Sequence, residues 1–581
     1  MPASESTRLL FGYLGPERAR LTVLLGALLG AMLLPLAGPW IIGRAVDSAL
    51  GGADASGLGR LALAYLVVAL ASQLLQLWVS RASVRMAWRT GNRLRSDLAT
   101  HVLHLDQAWH TTRTPGLLIE RVDGDVDALA AFFQSIVLQV LGNGLLLTGV
   151  LVLTTLTDWR IGLALVVLSG LATTVLVRLR SIAVASNEER REAAAALYGD
   201  LEERLSGLED LRANGAGRYA LHRLLQNESR MWHAARHAAL RGTGAYAVAA
   251  AIFSLGTVAV LALAVTFERG GRLTPGTVFV LFRYAQLTRE PLERLAEQLR
   301  DMQKAVAGAN RAAAILATTT NVPEPARPID LPAGPLSIEL DHLGFAYPDD
   351  LVPVLVDVDL RVGAGQVLGV VGRTGSGKTS LGRLLLRLWD PTTGAVRVGG
   401  IDLRDVGQTS LRRRVAVVTQ DVQLVTGTVR DNVTLYGALP GDDATLTGLL
   451  GELGLGRWLV DVGGLDGVVR GTGGLSAGEA QLVAFARAFL SDPGLVVLDE
   501  ASSRLDPVTE AKVTAATDRL LVGRTAVIIA HRLATLDRAD RVLVLEHGRV
   551  VEEGDRATLA VDHRSLWAGL LRTAGGEEVS A

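Results

Sequence analysis

The chain has 581 residues, more than one ordinary domain holds. Hydrophobic residues make up 49% of it, and its mean hydropathy of +0.31 is high for a soluble protein and low for one wholly inside lipid, which predicts a membrane part joined to a soluble part. A formal net charge of −1 excludes a global basic field for nucleic acid, and the absence of cysteine excludes a disulfide framework or a cysteine metal site.

A run of roughly 20 apolar residues can cross a bilayer. Candidate windows in chain order are Leu21–Ile42, Leu61–Val79, Ile136–Leu156, Ile161–Val177, Ala245–Phe267, and Thr277–Leu287 with its continuation. The first is followed by more of the same, which reads as membrane anchoring and not as a cleaved signal. The sixth is the weakest by hydropathy. It carries Arg283, with Arg289 and Glu290 just beyond, so it is expected to face protein or water rather than lipid. Arg283 would lie roughly 12 Å deep and point into a cavity. Asn143, Gln73 and Gln76 are further intramembrane polar groups, suited equally to holding helices together and to touching a substrate.

The connections between windows are uneven. Those from about Ser80 to Gln134 and from Ser181 to Gly244 are long and rich in arginine, which predicts that they lie in the cytoplasm with both termini. Each is rich in helix formers and broken once, at Pro115-Gly116 and at Asn214-Gly215. Each therefore reads as a helix going out, a turn and a helix coming back, reaching roughly 35–40 Å beyond the span. Such an arm is either a solvated stalk or a lever whose tip touches another domain, and the matching pair favours the lever.

Pro323, Pro325, Pro328, Pro332 and Pro335 mark a linker. Beyond it, short β-branched strands alternate with helices, for example Gln366–Val371, Arg414–Thr419, Gly494–Leu498 and Thr525–Ala530. The expected organisation is an all-α six-helix transmembrane domain over residues 1–320, a linker over 321–335, and an α/β P-loop nucleotide-binding domain over 336–581.

Within the last part, Gly372-Arg373-Thr374-Gly375-Ser376-Gly377-Lys378-Thr379 fits the phosphate-binding loop pattern at every fixed position, between a strand and a helix opening at Lys378. Only Lys304, Lys378 and Lys512 break an otherwise all-arginine set of 58 basic residues. A compact ammonium fits between nucleotide phosphates where a planar guanidinium does not. The backbone N–H groups of Gly375 to Thr379 would cradle phosphates at the helix N-terminus, and the Thr379 hydroxyl would reach Mg²⁺. Downstream, the apolar run Leu495–Leu498 ends in Asp499 and Glu500. Asp499 suits Mg²⁺, and Glu500 suits polarising an attacking water.

Leu475-Ser476-Ala477-Gly478-Glu479-Ala480-Gln481 is similar to the signature of ATP-binding cassette (ABC) proteins. With the two motifs above, the chain resembles an exporter-type (type IV) half-transporter over nearly its whole length, by motif in the last part and by layout in the first. The resemblance implies several roles. Tyr347 would stack on adenine, and Gly372, Thr374, Gly375, Ser376, Gly377, Lys378, Thr379 and Ser380 would hold the ATP phosphates. Thr379, Gln420 and Asp499 would hold Mg²⁺. Glu500, Gln420 and His531 would serve hydrolysis. Ser476, Gly478, Glu479 and Asp506 would reach the nucleotide of a second chain. Two such chains would sandwich two ATP molecules and drive export by alternating access, with the turns near Pro115 and Gly207–Gly215 as coupling helices. The implied setting is the cytoplasmic membrane, with the cassette in the cytoplasm and a small-molecule, lipid or peptide substrate. An importer, a lipid flippase and a nucleotide-gated regulator with little turnover remain alternatives, and no nucleic-acid partner is expected.

The signature departs from the usual Leu-Ser-Gly-Gly-Gln. Ala477 replaces the first Gly, and Glu479 replaces the Gln. Ser476 and Glu479 fit a capping box opening the next helix, which also places a negative charge where a phosphate would dock. The preceding loop, Val469 to Gly474, lacks the glutamate usual in exporters. The chain's own hydrolytic set is complete, while what it donates is weakened. The expectation is therefore a heterodimer, with a sister chain that lacks the catalytic glutamate and carries a normal signature, favoured over a homodimer with two slower sites.

Overall fold

The computed structural model describes residues 12–13, 15–348, 352–419, 422–471, 475–499, 506–530 and 533–577. The chain divides into two compact units, Met1–Leu103 with Pro115–Thr318, and His104–Thr114 with Thr319–Ala581.

In the first unit the predicted apolar windows all fall within helices: Arg18–Leu33 with Ala37–Leu50, Ala55–His104, Pro115–Thr157, Trp159–Ser206, Gly217–Arg269, and Pro275–Leu287. Among the described residues, four helical stretches are long and apolar enough to cross a membrane, namely Gly15–Leu50, Ala55–His104, Pro115–Thr157 and Gly217–Arg269. The fourth window lies in the shorter apolar stretch Trp159–Val175. The sixth is a 13-residue helix, followed after Thr288 by the helix Arg289–Leu316. The 50 residues of Ala55–His104 extend about 75 Å at 1.5 Å per residue. That is more than twice the ~30 Å of hydrocarbon, so apolar sequence turns into arm without a break. The second arm reverses through the short helix Leu208–Ala213 and Gly215, whose φ of +68° suits a glycine.

The helices Ala37–Leu50 and Pro275–Leu287 pack against each other through bare backbone. A Cβ added at Gly276 would meet the Gly43 carbonyl oxygen at 2.0 Å and the Asp47 carboxylate at 2.6 Å. Asp47 closes the contact, accepting from Gly276 N at 2.7 Å and from the Thr274 hydroxyl at 2.6 Å. Thr274 itself caps the helix, with Pro275 at its first position. The buried Tyr284 hydroxyl donates to Leu36 O at 2.9 Å. Gly276→Ala is expected to destabilise this unit by about 1–3 kcal/mol, because backbone must move. A thermal unfolding midpoint unchanged in detergent would refute the packing.

Gln76 reaches a neighbouring helix, its amide donating to Ala31 O at 3.5 Å. Asn143 is buried, and its amide donates to Gln139 O at 2.8 Å, one turn back in the same helical stretch. Gln73 is exposed.

The second unit is built on two sheets. In chain order its strands are β1 (Ile338–Phe345), β2 (Leu355–Val362), β3 (Val367–Val371), β4 (Thr393–Val398), β5 (Ile401–Asp402), β6 (Val415–Val418), β7 (Gly427–Thr428), β8 (Val468–Val469), β9 (Leu495–Asp499), β10 (Thr525–Ile529), β11 (Arg541–Glu546) and β12 (Arg549–Asp555). An antiparallel sheet runs β2-β1-β4-β5, and a six-stranded sheet runs β12-β11-β3-β10-β9-β6. Within the latter, β11, β3, β10, β9 and β6 are parallel neighbours. Their side chains alternate between two cores, as period two requires. Leu495, Val497, Val527 and Ile529 join the core shared with β1, β2, β4 and the helix Lys378–Leu385. Val496, Leu498, Ala526 and Ile528 join the core shared with the helices Ala477–Ser491 and Pro507–Leu521.

The proline-rich stretch is not a free tether. The buried Arg387 guanidinium donates to Pro323 O at 3.0 Å and Val406 O at 3.1 Å, and Arg414 Nε donates to Pro332 O at 3.2 Å. Asp106, from the short segment that belongs to this unit, caps the helix Gln107–Thr111 and accepts from the Thr320 hydroxyl at 3.2 Å. Ala108 packs on the core beside β1 and β2.

Candidate nucleotide site

Parallel strands present their C-terminal ends along one edge, and the motif residues collect there. β3 ends at Val371 and runs directly into the phosphate-binding loop, and β9 ends at Asp499. β10 lies between them, pairing Ile529 with Val370 on one side and with Asp499 on the other. Gln420, Glu500 and His531 lie outside the described residues, as do Ser503 to Leu505 and Arg532. In the sequence Gln420, Glu500 and His531 follow within two residues of the ends of β6, β9 and β10.

The loop closes on itself tightly. Gly377 has φ of +102°, and a Cβ there would meet Leu355 Cδ2 at 2.7 Å. The helix then opens at Lys378, whose side chain is only 4% exposed and whose ammonium donates to Gly372 O at 2.6 Å and Arg373 O at 3.0 Å. The Ser376 hydroxyl is buried and finds no hydrogen-bond partner among the described residues. A buried hydroxyl without a partner costs free energy unless a ligand oxygen meets it. Together with the first-turn N–H groups, the ammonium and this hydroxyl form a receptor for phosphate oxygens. Thr374, Gly375 and Thr379 are exposed. The oxygen donors of Thr379 and the half-buried Asp499 suit a hard cation such as Mg²⁺.

Tyr347 is half-buried between Phe345 and Trp389, with ring centroids at 4.8 and 5.5 Å and edge-on geometry. Its hydroxyl hydrogen-bonds Ser380 Oγ at 2.9 Å and accepts from Arg383 at 3.0 Å, which ties the aromatic loop to the phosphate-loop helix. The sequence pointed to Tyr347 and Ser380 but not to Arg383 or Trp389. The spacing of Arg383, five residues into the helix that opens at Lys378, was the available signal. A cavity of about 470 Å³, lined in part by Phe345, Ala346 and Leu355, opens beside this loop.

The signature helix Ala477–Ser491 carries the expected capping box. The Glu479 carboxylate accepts from Ser476 N at 2.9 Å and from the Ser476 hydroxyl at 3.0 Å, while that hydroxyl accepts from Glu479 N at 3.3 Å. Gly478 is buried in the first turn. Asp506 is likewise a helix cap, accepting from Val508 N and Thr509 N at 3.1 Å each. Hydrogen bonds from Thr509 hold its carboxyl below the usual range. Lys378 and Ser476 open helices that pack on opposite faces of the six-stranded sheet.

This fold and site define a membrane-spanning ATPase of the ABC class. Residues 21–292 match the ABC transporter transmembrane region, and residues 355–503 match the ABC transporter cassette. The chain belongs to the ABC transporters, built as an exporter-type half, and couples ATP hydrolysis to transport. It is 30% identical to an ATP-dependent lipid A-core flippase of Syntrophus aciditrophicus, covering 80% of this chain and 77% of that protein. It is 34% identical to a multidrug efflux ATP-binding/permease protein of Mycobacterium bovis, covering 86% of this chain but 42% of that longer protein. A bacterial Atm1-family ABC exporter shares the fold, with a TM-score of 0.79 at 24% identity over 96% of this chain and 98% of that chain.

Proposed function

We propose that this chain is one half of a dimeric exporter of the cytoplasmic membrane whose two nucleotide sites are unequal. Its own site would bind ATP through Gly372, Thr374, Gly375, Ser376, Gly377, Lys378, Thr379 and Ser380, with Tyr347 against the base. Thr379, Asp499 and Gln420 would hold Mg²⁺, and Glu500 and His531 would serve water attack. Ser476, Gly478, Glu479 and Asp506 would face the nucleotide of the second chain. Pairing is supported by the two faces of the sheet, since a nucleotide on the Lys378 helix is turned away from the Ser476 helix of the same chain.

The observation that carries the asymmetry is the capping box. Both the N–H and the hydroxyl of Ser476 are engaged by the Glu479 carboxylate. A phosphate arriving there meets a fixed anion and a hydroxyl whose proton is already donated. A sister chain with a usual signature and no catalytic glutamate would complete the pair. Purified alone, this chain is expected to show little transport-coupled ATPase. Robust coupled activity from the isolated chain would overturn the heterodimer. In a pair, Glu479→Gln keeps the cap and removes the charge, and ATP binding at the site it completes is expected to tighten roughly threefold to tenfold; no change would show that the carboxylate does not matter.

The substrate we propose is amphipathic. The relatives named above include an efflux pump and a lipid flippase. In this chain Arg283 is exposed, its guanidinium held by Gln286 at 2.6 Å. A polar cavity of about 320 Å³ is lined by Gln139, Glu290, Glu293, Arg294 and Gln298. Screening substrates for ATPase stimulation with both chains present tests this reading.

A further inference from the structure

The geometry points to a binding site for the headgroup of an anionic phospholipid at the start of the first unit, apart from any transport route. A cavity of about 580 Å³ lies between the segment Glu17–Leu24 and the helix Ala55–His104. Trp78, Arg81, Arg85 and Arg89 line it from the longer helix at spacings of three, four and four, which places them on one face. Val23, Leu24 and Met86 supply an apolar wall.

The charges in this cavity do not cancel. The buried Glu17 carboxylate is matched by Arg20 at 2.7 Å and Arg93 at 3.5 Å. Arg81 and Arg85 make no hydrogen bond or ion pair among the described residues, and Arg89 feels Glu17 only at longer range. Three guanidinium groups thus face a cavity whose other wall joins the Glu17–Arg20 pair to the apolar Val23 and Leu24. The depth fits a headgroup. The apolar run of this helix ends at Val79, and a tryptophan beside that point marks the membrane–water interface. Arg81 and Arg85, about 3 and 9 Å beyond that point along the helix, are then near the level of lipid phosphates, with Arg89 one turn further out. A free anion would satisfy the guanidinium groups and leave the exposed Val23 and Trp78 side chains uncovered. A phospholipid satisfies both walls, with acyl chains along the apolar side. The occupant assigned is therefore a lipid of the leaflet on the side of the arms.

The test is native mass spectrometry of the full-length transporter, stripped of lipid in detergent and titrated with phosphatidylglycerol or phosphatidylcholine. Phosphatidylglycerol is expected to bind at least about tenfold more tightly, since each basic group near the membrane surface contributes appreciably to anionic-lipid binding. The triple variant Arg81→Gln, Arg85→Gln, Arg89→Gln is expected to lose that preference, and the matching triple lysine variant to keep most of it. Equal preference in wild type and the glutamine variant overturns the site. Glycerol phosphate displacing the lipid at equal concentration overturns the assignment to a lipid in favour of a free anion. Should the glutamine variant fail to fold, Trp78 gives a second readout. Brominated phosphatidylglycerol is expected to quench wild-type fluorescence more than that of Trp78→Phe, and equal quenching counts against the site.

Discussion

Replacing Lys378 by alanine is expected to reduce ATP hydrolysis at this chain's site by at least about 100-fold, on the scale of removing one preorganised cation from a transition-state receptor. The reason is local. Lys378 is 4% exposed and its ammonium is held over the loop by Gly372 O and Arg373 O, so it meets phosphate oxygens with little further desolvation. Arginine should not rescue it, because a planar fork does not fit a slot shaped for a point charge. ATPase measured in proteoliposomes, with nucleotide binding followed in parallel, checks this. A variant that folds with an unchanged melting point and hydrolyses at the wild-type rate would sink the assignment of the site.

Glu500→Gln is expected to separate binding from turnover. β9 is buried through Leu498 and ends at Asp499, and Glu500 is the next residue in the sequence. Losing the carboxylate that orients water should lower hydrolysis by roughly 100- to 10,000-fold, the range for a positioned general base. ATP should still bind, because the phosphate receptor is untouched. Retained turnover would favour a nucleotide-gated regulator over a pump. Loss of both binding and turnover would mean that Glu500 supports the fold instead.

Much of the cassette was legible because its determinants are local. The β-branched runs became β3, β6, β9 and β10 within a residue or two, since buried parallel strands need apolar side chains on both faces. The loop before Lys378 was readable from its spacing alone, and so was the cap formed by Ser476 and Glu479. The parts that could not be read depend on partners distant in sequence. Gln76 could hold helices together or touch a substrate until Ala31, 45 residues away, appeared as its partner. The contact of Gly43 with Gly276 has no local signature, since a glycine in an apolar helix reads as neutral. The same holds for Arg387, one arginine among many, whose burial against Pro323 O turns a proline-rich stretch into a docked strap.

That strap, together with Asp106, constrains how the molecule can be cut and rejoined. Severing the chain at Leu336 would strand Arg387 and Arg414 without the carbonyls they hold. A chimera that borrows this cassette must bring two pieces, His104–Thr114 and everything from Thr319 onward, because the excised peptide and the C-terminal half are one hydrogen-bonded body.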